Sequence, residues 1–372
     1  MTIAPVDRSV RIPRLLRLVD GAAAAADALG ELVHGSGAVL LVVHTGRRSG
    51  SGYAQTLIDA AARYGHALFD CVVDANTAAS VDLVADRIIN LHPAFVVGVG
   101  GGRVVDVAKL AAAQNETEFV SMPTQASSDG ICSPVSVIVS DDGRPNSVGA
   151  RIPAGIIVDM QVLRSAPLPT WRSGLGDLMS NISAVRDWRD AHERRGETID
   201  DFACLTAEAA ALSVAADDAD LHDGDYQRKL VRGLILSGIA MEMAGSSRPA
   251  SGGEHLISHA LDIVLAQPRL HGLQVALATI ATTLLRGDDH RRLAAFYRHV
   301  GLPVVPADLD IPVETFLRAV RLGPQMRVGR STVLDDVDEA DIARLRAAYS
   351  RADPRSIIER ADAMRSLEEV GS

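Results

Sequence analysis

The chain of 372 residues is long enough for about two domains, and its 47% hydrophobic and 23% charged residues fit a globular protein with a sizeable core. Its net charge of −10 argues against a nucleic-acid partner, which would require a basic surface. The three cysteines are scattered and form no CxxC pair, so we expect a reducing compartment and no disulfide framework.

The N-terminal twenty residues alternate charged and apolar side chains and lack the apolar core of a signal peptide. Nowhere does an apolar run reach the roughly 20 residues that are needed to span a bilayer. We therefore expect a cytoplasmic protein without membrane insertion.

Short apolar runs alternate with amphipathic helical patterns through the first half of the chain. Predicted strands cover 37–46, 67–74, 94–102 and 117–124. Predicted helices cover the alanine run at 22–26 and then 51–65, 77–91 and 103–114. Continuous Val, Leu and Ile runs between such helices are typical of parallel strands buried on both faces. The order predicts an α/β domain with a doubly wound, Rossmann-like parallel sheet.

After about residue 170 the strand pattern ends, and Ala/Leu-rich helical segments follow. Predicted helices cover 173–194, 199–216, 226–245, two histidine-bearing segments on either side of Pro268, and then 288–300, 312–321, 338–350 and 354–366. We therefore expect an α/β domain at 1–170 and an all-α domain at 171–372, with a ligand in the cleft between them.

The third predicted strand ends, and the next helix opens, on four glycines: Gly98, Gly100, Gly101 and Gly102. Glycine at this point lets the backbone approach a pyrophosphate, and the helix N-terminus offers unpaired N–H groups to the anion. The stretch differs from the dinucleotide GxGxxG fingerprint, because an arginine and two valines follow directly, so a merely tight turn is the alternative. The polar loop 123–134, which contains Asp129, is either a second part of the ligand site or a surface turn.

Three of the eleven histidines fall within seventeen positions: His255, His259 and His271. The first two are four residues apart on one predicted helix and therefore share a face. The third opens the next helix, after the break at Pro268-Arg269. The group is either a helix hairpin with satisfied polar side chains or half of a metal site.

Four sequence blocks together resemble the sn-glycerol-1-phosphate dehydrogenase family. That family belongs to the superfamily of iron-containing alcohol dehydrogenases, glycerol dehydrogenases and 3-dehydroquinate synthases. The likeness runs from about residue 37 to 335, and its blocks are GGGRVVDVAK, PTQASSDGICSP, GLGDLMSNISAVRDW and AGSSRPASGGEHLISHALD. The resemblance implies a dehydroquinate synthase-like fold, with a nucleotide-binding first domain and a helical second domain that binds metal and substrate.

The resemblance also implies roles for particular residues. The metal ligands would be Asp177, His255 and His271, holding one zinc ion with a position left open for a ketone. The residues in contact with the substrate, and active in catalysis, would be Asp129, Asp177 and His259. The cofactor, NAD or NADP, would contact Gly100, Gly101, Gly102, Arg103, Val104, Val105, Asp106, Thr124, Gln125, Ala126, Ser127 and Ser133.

The chain departs from the family pattern at three positions, none of which is an implied ligand. Ser128 stands where a histidine is common, and Leu273 stands where a glutamate is common. The family's Gly-Ser-Glu-His is Gly-Gly-Glu-His here, with Gly253 in the second place.

Asn181 bears on the identity of the metal. It lies four residues after Asp177, on the same helix face. Iron-dependent alcohol dehydrogenases, which are similar to this chain, have a histidine ligand at that position. Because asparagine is a poor ligand, the sequence favours a three-ligand zinc site over a four-ligand iron site, although another divalent metal is compatible with the donor set.

The activity that the resemblance implies is reversible, metal-dependent reduction of dihydroxyacetone phosphate to sn-glycerol 1-phosphate with NAD(P)H, a step of phospholipid biosynthesis. Three alternatives stay open: a dehydroquinate-synthase-like sugar-phosphate cyclase, a dehydrogenase of another polyol or polyol phosphate, and a relative that only binds nucleotide. A cyclase would carry more lysines near its substrate than Lys109 alone, and the intact ligand set argues against a binding-only relative.

Cofactor preference, phosphate binding and assembly are left open by the sequence. Asp74, after the second predicted strand, suits a ribose hydroxyl, whereas Arg47 and Arg48 suit the 2′-phosphate of NADP. Arg248 either holds a substrate phosphate or caps the preceding helix. A homo-oligomer is compatible with the sequence.

Overall fold

The computed structural model describes residues 9–33, 37–46, 52–140, 143–216 and 219–350. The chain forms two compact units. The first unit consists of Met1–Trp171 together with Leu234–Ser246, and the second unit consists of Arg172–Gly233 together with Ser247–Ser372.

The first unit is built on a six-stranded parallel sheet. Its strands are β1 (Leu15–Val19), β2 (Val39–His44), β3 (Ala67–Val72), β4 (Phe95–Gly100), β5 (Glu118–Pro123) and, after an antiparallel hairpin of β6 (Val135–Val139) and β7 (Pro145–Gly149), β8 (Gly155–Asp159). The spatial order is β1-β8-β5-β4-β2-β3. The chain leaves β2 towards β3 on one side and continues from β4 towards β5 on the other, so the order reverses between β2 and β4. In such sheets ligands bind outside the carboxyl ends of the strands at this reversal.

Helices cover both faces of the sheet. They are α1 (Ala22–Leu32), α2 (Tyr53–Ala62), α3 (Ala78–Leu91), α4 (Gly102–Gln114) and the short α5 (Met160–Arg164). Because successive strand residues point to opposite faces, Leu40 and Val42 of β2 pack in the core with α1 and α2, whereas Leu41 and Val43 pack with α3 and α4. The predicted doubly wound parallel sheet is confirmed.

The described residues of the second unit are helical, with no strand among them. The helices from residue 168 onward are α6 (Leu168–Met179), α7 (Asn181–Arg195), α8 (Asp201–Val214), α9 (Gly224–Ala244), α10 (Gly253–Val264), α11 (His271–Arg286), α12 (Arg291–Val300), α13 (Val313–Leu322) and α14 (Glu339–Ser350). The C-terminal half of α9 belongs to the first unit. The predicted all-α region is confirmed, and the predicted helix at 354–366 lies outside the described residues.

Four strands were absent from the sequence prediction. The edge strand β1 has Arg17 at its centre and exposes Leu16 and Arg17, so it shows no continuous apolar run. The buried strand β8 has only five residues, and the hairpin β6–β7 is largely polar. The helix predicted at 173–194 is instead two helices, because α6 ends at Met179 and α7 begins at Asn181.

All three cysteines are buried and free: Cys71 and Cys132 in the first unit and Cys204 in the second. Burial raises the pKa of each thiol, in the case of Cys204 to about 12. The thiols are therefore protonated at neutral pH, as expected of structural cysteines. None of the described helices combines the length and the apolar character that a membrane crossing requires.

Candidate metal and nucleotide sites

Asp177, His255 and His271 lie together in the second unit, on three different helices. Asp177 is near the end of α6, His255 is in the first turn of α10 and His271 is the first residue of α11. One possible ligand atom from each residue lies within 4.8 Å of the other two. The Nε2 atom of each histidine is 3.5 Å from Oδ1 of Asp177.

The second nitrogen of each ring has a partner of its own. Nδ1 of His255 is 3.0 Å from Oε1 of Glu254, and Nδ1 of His271 is 3.3 Å from Oγ of Ser258. These contacts orient both rings so that Nε2 faces the shared carboxylate, which is how supporting groups commonly orient metal-ligating histidines. Asp177 and His255 are buried, but 39% of the His271 side chain is exposed, so the group has one open side. One carboxylate, two imidazoles and an open side fit a catalytic divalent metal.

Without a metal, the electrostatics of the group are those of a buried ion network. Burial alone would raise the pKa of Asp177, but hydrogen bonding and charge attraction from the two histidines hold that pKa well below its usual range. Burial opposes the charged form of His255 as well, yet Asp177 and Glu254 outweigh it and raise the pKa of His255 to about 9. The surroundings therefore stabilise positive charge at the place where the two imidazoles and the carboxylate converge.

Two glycines bring α6 and α11 into backbone contact beside the ligands. A methyl group at Gly272 would overlap the carbonyl oxygen of Ser173, and one at Gly176 would overlap the carbonyl oxygen of Gly272. The N–H of Gly272 donates to Oγ of Ser173 at 3.1 Å. Because Gly176 precedes Asp177 and Gly272 follows His271, this contact sets the separation of two of the three predicted ligands.

His259 lies beside the group that Asp177, His255 and His271 form. Its ring centroid is 6.4 Å from that of His255 and 6.1 Å from that of His271. Burial, followed by the nearby positive charges of His271, His255, Arg327 and Arg330, lowers the pKa of His259 to about 3. Its predicted contact with the substrate stays a prediction.

The glycine turn joins β4 to α4 at the carboxyl edge of the sheet, next to the reversal of strand order. A Cβ at Gly100 would come within 2.8 Å of the Val104 side chain, whereas one at Gly102 would meet nothing within 4 Å. Gly101 is the N-cap of α4 and provides no side-chain cap, and its carbonyl oxygen accepts from the N–H of Val104 at 3.0 Å, so the N–H groups available to an anion are those of Gly102 and Arg103. Space and donors for an anion therefore coincide at Gly102. Among the other predicted contacts, Val104 and Val105 are buried and only Arg103 is exposed.

The loop after β5 lies against this turn. The N–H of Thr124 donates to the carbonyl oxygen of Gly100 at 2.9 Å, and Oε1 of Gln125 would be 3.2 Å from a Cβ on Gly101. Ala126 is fully buried and Ser127 is half-buried. The structure thus brings the loop 124–127 to the glycine turn.

The remaining predicted residues of the first unit are held by neighbours. Asp106 is 3.4 Å from Nζ of the fully buried Lys109. Ser133 is buried and donates to the carbonyl oxygen of Val135 at 3.3 Å. Asp129 accepts a hydrogen bond of 2.9 Å from Ser237 of α9. The predicted roles of Asp106, Ser133 and Asp129 stay predictions.

Two residues differ from their sequence interpretation. Asn181 begins α7, and its amide donates to the carbonyl oxygen of Ala207 at 3.2 Å, so it does not continue the helix of Asp177 as predicted. Arg248 is buried; its guanidinium binds both carboxylate oxygens of Glu197 and donates to the carbonyl oxygen of Ser331 at 2.7 Å. The contacts of Arg248 with Glu197 and Ser331 correspond to neither of its two predicted roles, a helix cap and a phosphate contact.

Comparison with known proteins places this architecture in a family. The model of the iron-containing alcohol dehydrogenases matches residues 21–167. The glycerol-1-phosphate dehydrogenase [NAD(P)+] of Pyrococcus furiosus is 39% identical over 71% of this chain and 76% of its own length. The enzyme of the same name from Sulfolobus acidocaldarius is 41% identical over 65% of this chain and 69% of its own. The chain belongs to the glycerol-1-phosphate dehydrogenase family.

Solved structures agree with this glycerol-1-phosphate dehydrogenase family assignment at the level of the fold. Glycerol dehydrogenase from Schizosaccharomyces pombe superposes with a TM-score of 0.71 at 22% identity, over 92% of this chain and 91% of that one. A probable glycerol dehydrogenase from Sinorhizobium meliloti 1021 gives 0.69 at 21% identity, over 92% and 98%. The fold predicted from the four sequence blocks is confirmed.

No role was predicted from the sequence for four residues that build the candidate metal site. Glu254 and Ser258 support the two histidines, and Gly176 and Gly272 set the helix contact. A signal existed for three of them, because Glu254 adjoins His255 and each glycine adjoins a predicted ligand. Ser258 had no signal, because its partner His271 is thirteen residues away on another helix.

Proposed function

We propose that this protein catalyses the reversible NAD(P)-dependent reduction of dihydroxyacetone phosphate to sn-glycerol 1-phosphate. A single divalent metal, zinc, would be held by Asp177, His255 and His271. The observation that carries the proposal is the convergence of both Nε2 atoms on one carboxylate, with an open side at His271. The glycerol-1-phosphate dehydrogenase relatives supply the substrate and the cofactor class.

Different residues of the chain are proposed to orient the metal ligands, to transfer the proton and to bind the substrate. When bound, the metal would act as a Lewis acid on the ketone, and the reduced nicotinamide would supply the hydride. Glu254 and Ser258 keep the two histidine rings oriented. His259, which burial and neighbouring positive charges keep neutral, is proposed to relay a proton between solvent and the substrate oxygen: in reduction it donates one from a ring nitrogen and takes one up at the other, and in oxidation the transfer runs the opposite way. Asp129, held by Ser237, is proposed to bind a substrate hydroxyl.

The cofactor is proposed to bind at the glycine turn and the loop 124–127. The pyrophosphate would occupy the open space at Gly102, facing the first N–H groups of α4. Asp74 is exposed after β3, as a ribose contact requires, while Arg47 and Arg48 lie outside the described residues. Activity assays should therefore test both NADH and NADPH as the cofactor.

The Glu254→Gln variant should bind zinc about 10- to 100-fold more weakly than the wild type, since a supporting carboxylate of a histidine ligand typically contributes that much. Glu254 is fully buried and touches Nδ1 of His255, and glutamine preserves its size. Competition with a chromophoric chelator measures the affinity. Glu314→Gln is the matched control, because Glu314 is an exposed partner of Arg346. Equal affinities of the two variants would remove Glu254 from the metal site.

The Gly102→Val variant should fold normally and bind NADH at least about tenfold more weakly. An added side chain at Gly102 meets no neighbour, so it fills the space reserved for the pyrophosphate without disturbing the protein. Fluorescence titration with NADH gives the affinity. Gly149→Val, at an equally open position on β7, is the control. Unchanged NADH affinity in Gly102→Val would place the cofactor elsewhere.

The activity itself is tested by cofactor oxidation with dihydroxyacetone phosphate and dihydroxyacetone, and by the reverse reaction with glycerol. Net oxidation of NADH or NADPH that requires dihydroxyacetone phosphate supports the proposal, and chiral analysis of the product must give the sn-1 phosphate. Preference for dihydroxyacetone or glycerol would instead indicate a polyol dehydrogenase. A cyclase would consume a sugar phosphate without net cofactor oxidation. Its lysine-rich site is not supported, since Lys109 is buried and donates to the carbonyl oxygen of Gly130.

A further inference from the structure

Three arginines surround one serine hydroxyl in the second unit. Arg327 donates to Oγ of Ser247 at 3.0 Å, and Arg330 donates to the same oxygen at 3.1 Å. Arg248 follows Ser247 directly and is close enough to disfavour the charge of both other guanidinium groups. We call Arg248, Arg327 and Arg330 the arginine cluster.

The arginine cluster has more positive charge than its carboxylates neutralise. Arg248 is paired with Glu197. Arg327 and Arg330 form no ion pair with any carboxylate in the described part of the chain. Arg330 is only 8% exposed, and burial together with the charges of Arg327 and Arg248 outweighs the attraction of Glu254 and Glu197 and lowers its pKa to about 9. A buried guanidinium with no carboxylate in direct contact is costly, so this arrangement favours an anionic ligand.

The arginine cluster is next to the metal-ligand group. Arg327 and Arg330 both donate to Ser247, which lies in the segment between α9 and α10. Arg330 also donates to the carbonyl oxygen of Ser251, in the loop that leads into α10 and His255. An anion held by Arg327 and Arg330 would therefore be bound close to the start of α10, the helix that carries His255.

We propose that Arg327 and Arg330 bind the phosphate group of the substrate, with Ser247 as a third contact. The identity of the rest of the molecule rests on the proposed function. Planar guanidinium groups present paired donors that match the oxygens of a phosphate dianion, and two of them supply the missing counter-charge. Arg248, occupied by Glu197 and Ser331, supports the site from behind and does not reach the ligand.

The alternative role of the arginine cluster is structural. Arg248 donates to the carbonyl oxygen of Ser331, and Arg330 donates to that of Ser251. Each of the two loops, 247–251 and 330–331, thus provides an arginine that binds the backbone of the other. A purely structural role predicts loss of thermal stability and an equal loss of activity towards phosphorylated and unphosphorylated substrates. The phosphate role predicts a loss that is confined to the phosphorylated one.

The test compares Arg327→Gln with the wild type. Arg327 is exposed, and its substitution leaves the loop links intact. We expect the KM for dihydroxyacetone phosphate to rise about 10- to 100-fold, as for loss of a charge-assisted hydrogen bond. We expect kcat/KM for dihydroxyacetone, and the zinc content, to stay within about twofold. Arg318→Gln, which removes an exposed arginine of α13, is the charge-matched control and should resemble the wild type.

A second measurement separates this inference from the proposed function. Inorganic phosphate should raise the melting temperature of the wild-type holoenzyme and of Arg318→Gln, and this effect should be absent in Arg327→Gln and in Arg330→Gln. If the wild type does not turn over dihydroxyacetone phosphate but is stabilised by inorganic phosphate, the proposed function is wrong and the phosphate site is supported. Equal losses on both substrates in Arg327→Gln, or phosphate stabilisation that survives both substitutions, would overturn the inference.

Discussion

Replacing His271 by alanine should release the metal and lower turnover of dihydroxyacetone phosphate by about 10³-fold. Removal of one ligand leaves Asp177 and His255, too few to retain a catalytic zinc ion. Loss of the Lewis acid withdraws several kcal/mol of transition-state stabilisation, and each 1.4 kcal/mol is a tenfold change in rate. Elemental analysis of the dialysed protein, together with the cofactor-oxidation assay, measures both effects.

The matched variant is His259→Ala, which should keep about one zinc ion per chain and still turn over slowly. This pair of variants distinguishes the predicted site from the simpler one in which His255 and His259, one turn apart on α10, chelate the metal from a single helix. His299→Ala, in an exposed position on α12, should behave like the wild type. A metal-free His259→Ala protein with a zinc-retaining His271→Ala protein would show that the helix pair is the site.

Gly272→Ala should be the most damaging single-methyl change in the second unit. The added methyl group overlaps the backbone oxygen of Ser173, which cannot rotate away as a side chain would, so α6 and α11 must separate. Overpacking of this kind costs about 1–3 kcal/mol, or a fall in melting temperature of roughly 3–10 °C for a domain of this size. Because the contact adjoins Asp177 and His271, zinc affinity should fall at the same time.

Calorimetry and chelator competition measure the two effects of Gly272→Ala. Gly149→Ala is the control, since its new methyl group meets nothing and its backbone needs no left-handed conformation. Normal zinc affinity in a destabilised Gly272→Ala protein would show that the helix contact supports the fold alone. Normal stability and normal affinity would show that the helices are not in contact there.

Sequence periodicity was sufficient for the elements with long, regular patterns. The runs at β2 and β4 are buried on both faces and contain hardly any polar side chain, and the helices that follow them are amphipathic. Edge strand β1 could not be predicted in this way because Arg17 interrupts its apolar residues, although its pairing with β8 completes the sheet. Such a strand forms because it pairs with a neighbouring strand that is distant in the sequence, so a local sequence pattern does not predict it.

The same limit applies to the site. Asp177, His255 and His271 were predicted because their motifs resemble a family, and each motif is short and local. Asn181 was misplaced, since the break after Met179 leaves no clear signal in an Ala- and Ser-rich stretch. Glu197, which pairs with Arg248, is fifty-one residues away along the chain, so the sequence left a phosphate contact and a helix cap equally open for this arginine.

The three buried cysteines can be used to measure local unfolding of the protein by thiol labelling. A thiol that is protonated and covered reacts with a maleimide only after the surrounding structure opens, so the labelling rate measures that opening. Cys71 and Cys132 report on the first unit, and Cys204 reports on the second. Peptide mapping after a labelling pulse requires no engineered probe. It would separate the stabilisation that we expect from a nucleotide in the first unit from the stabilisation that we expect from a metal in the second.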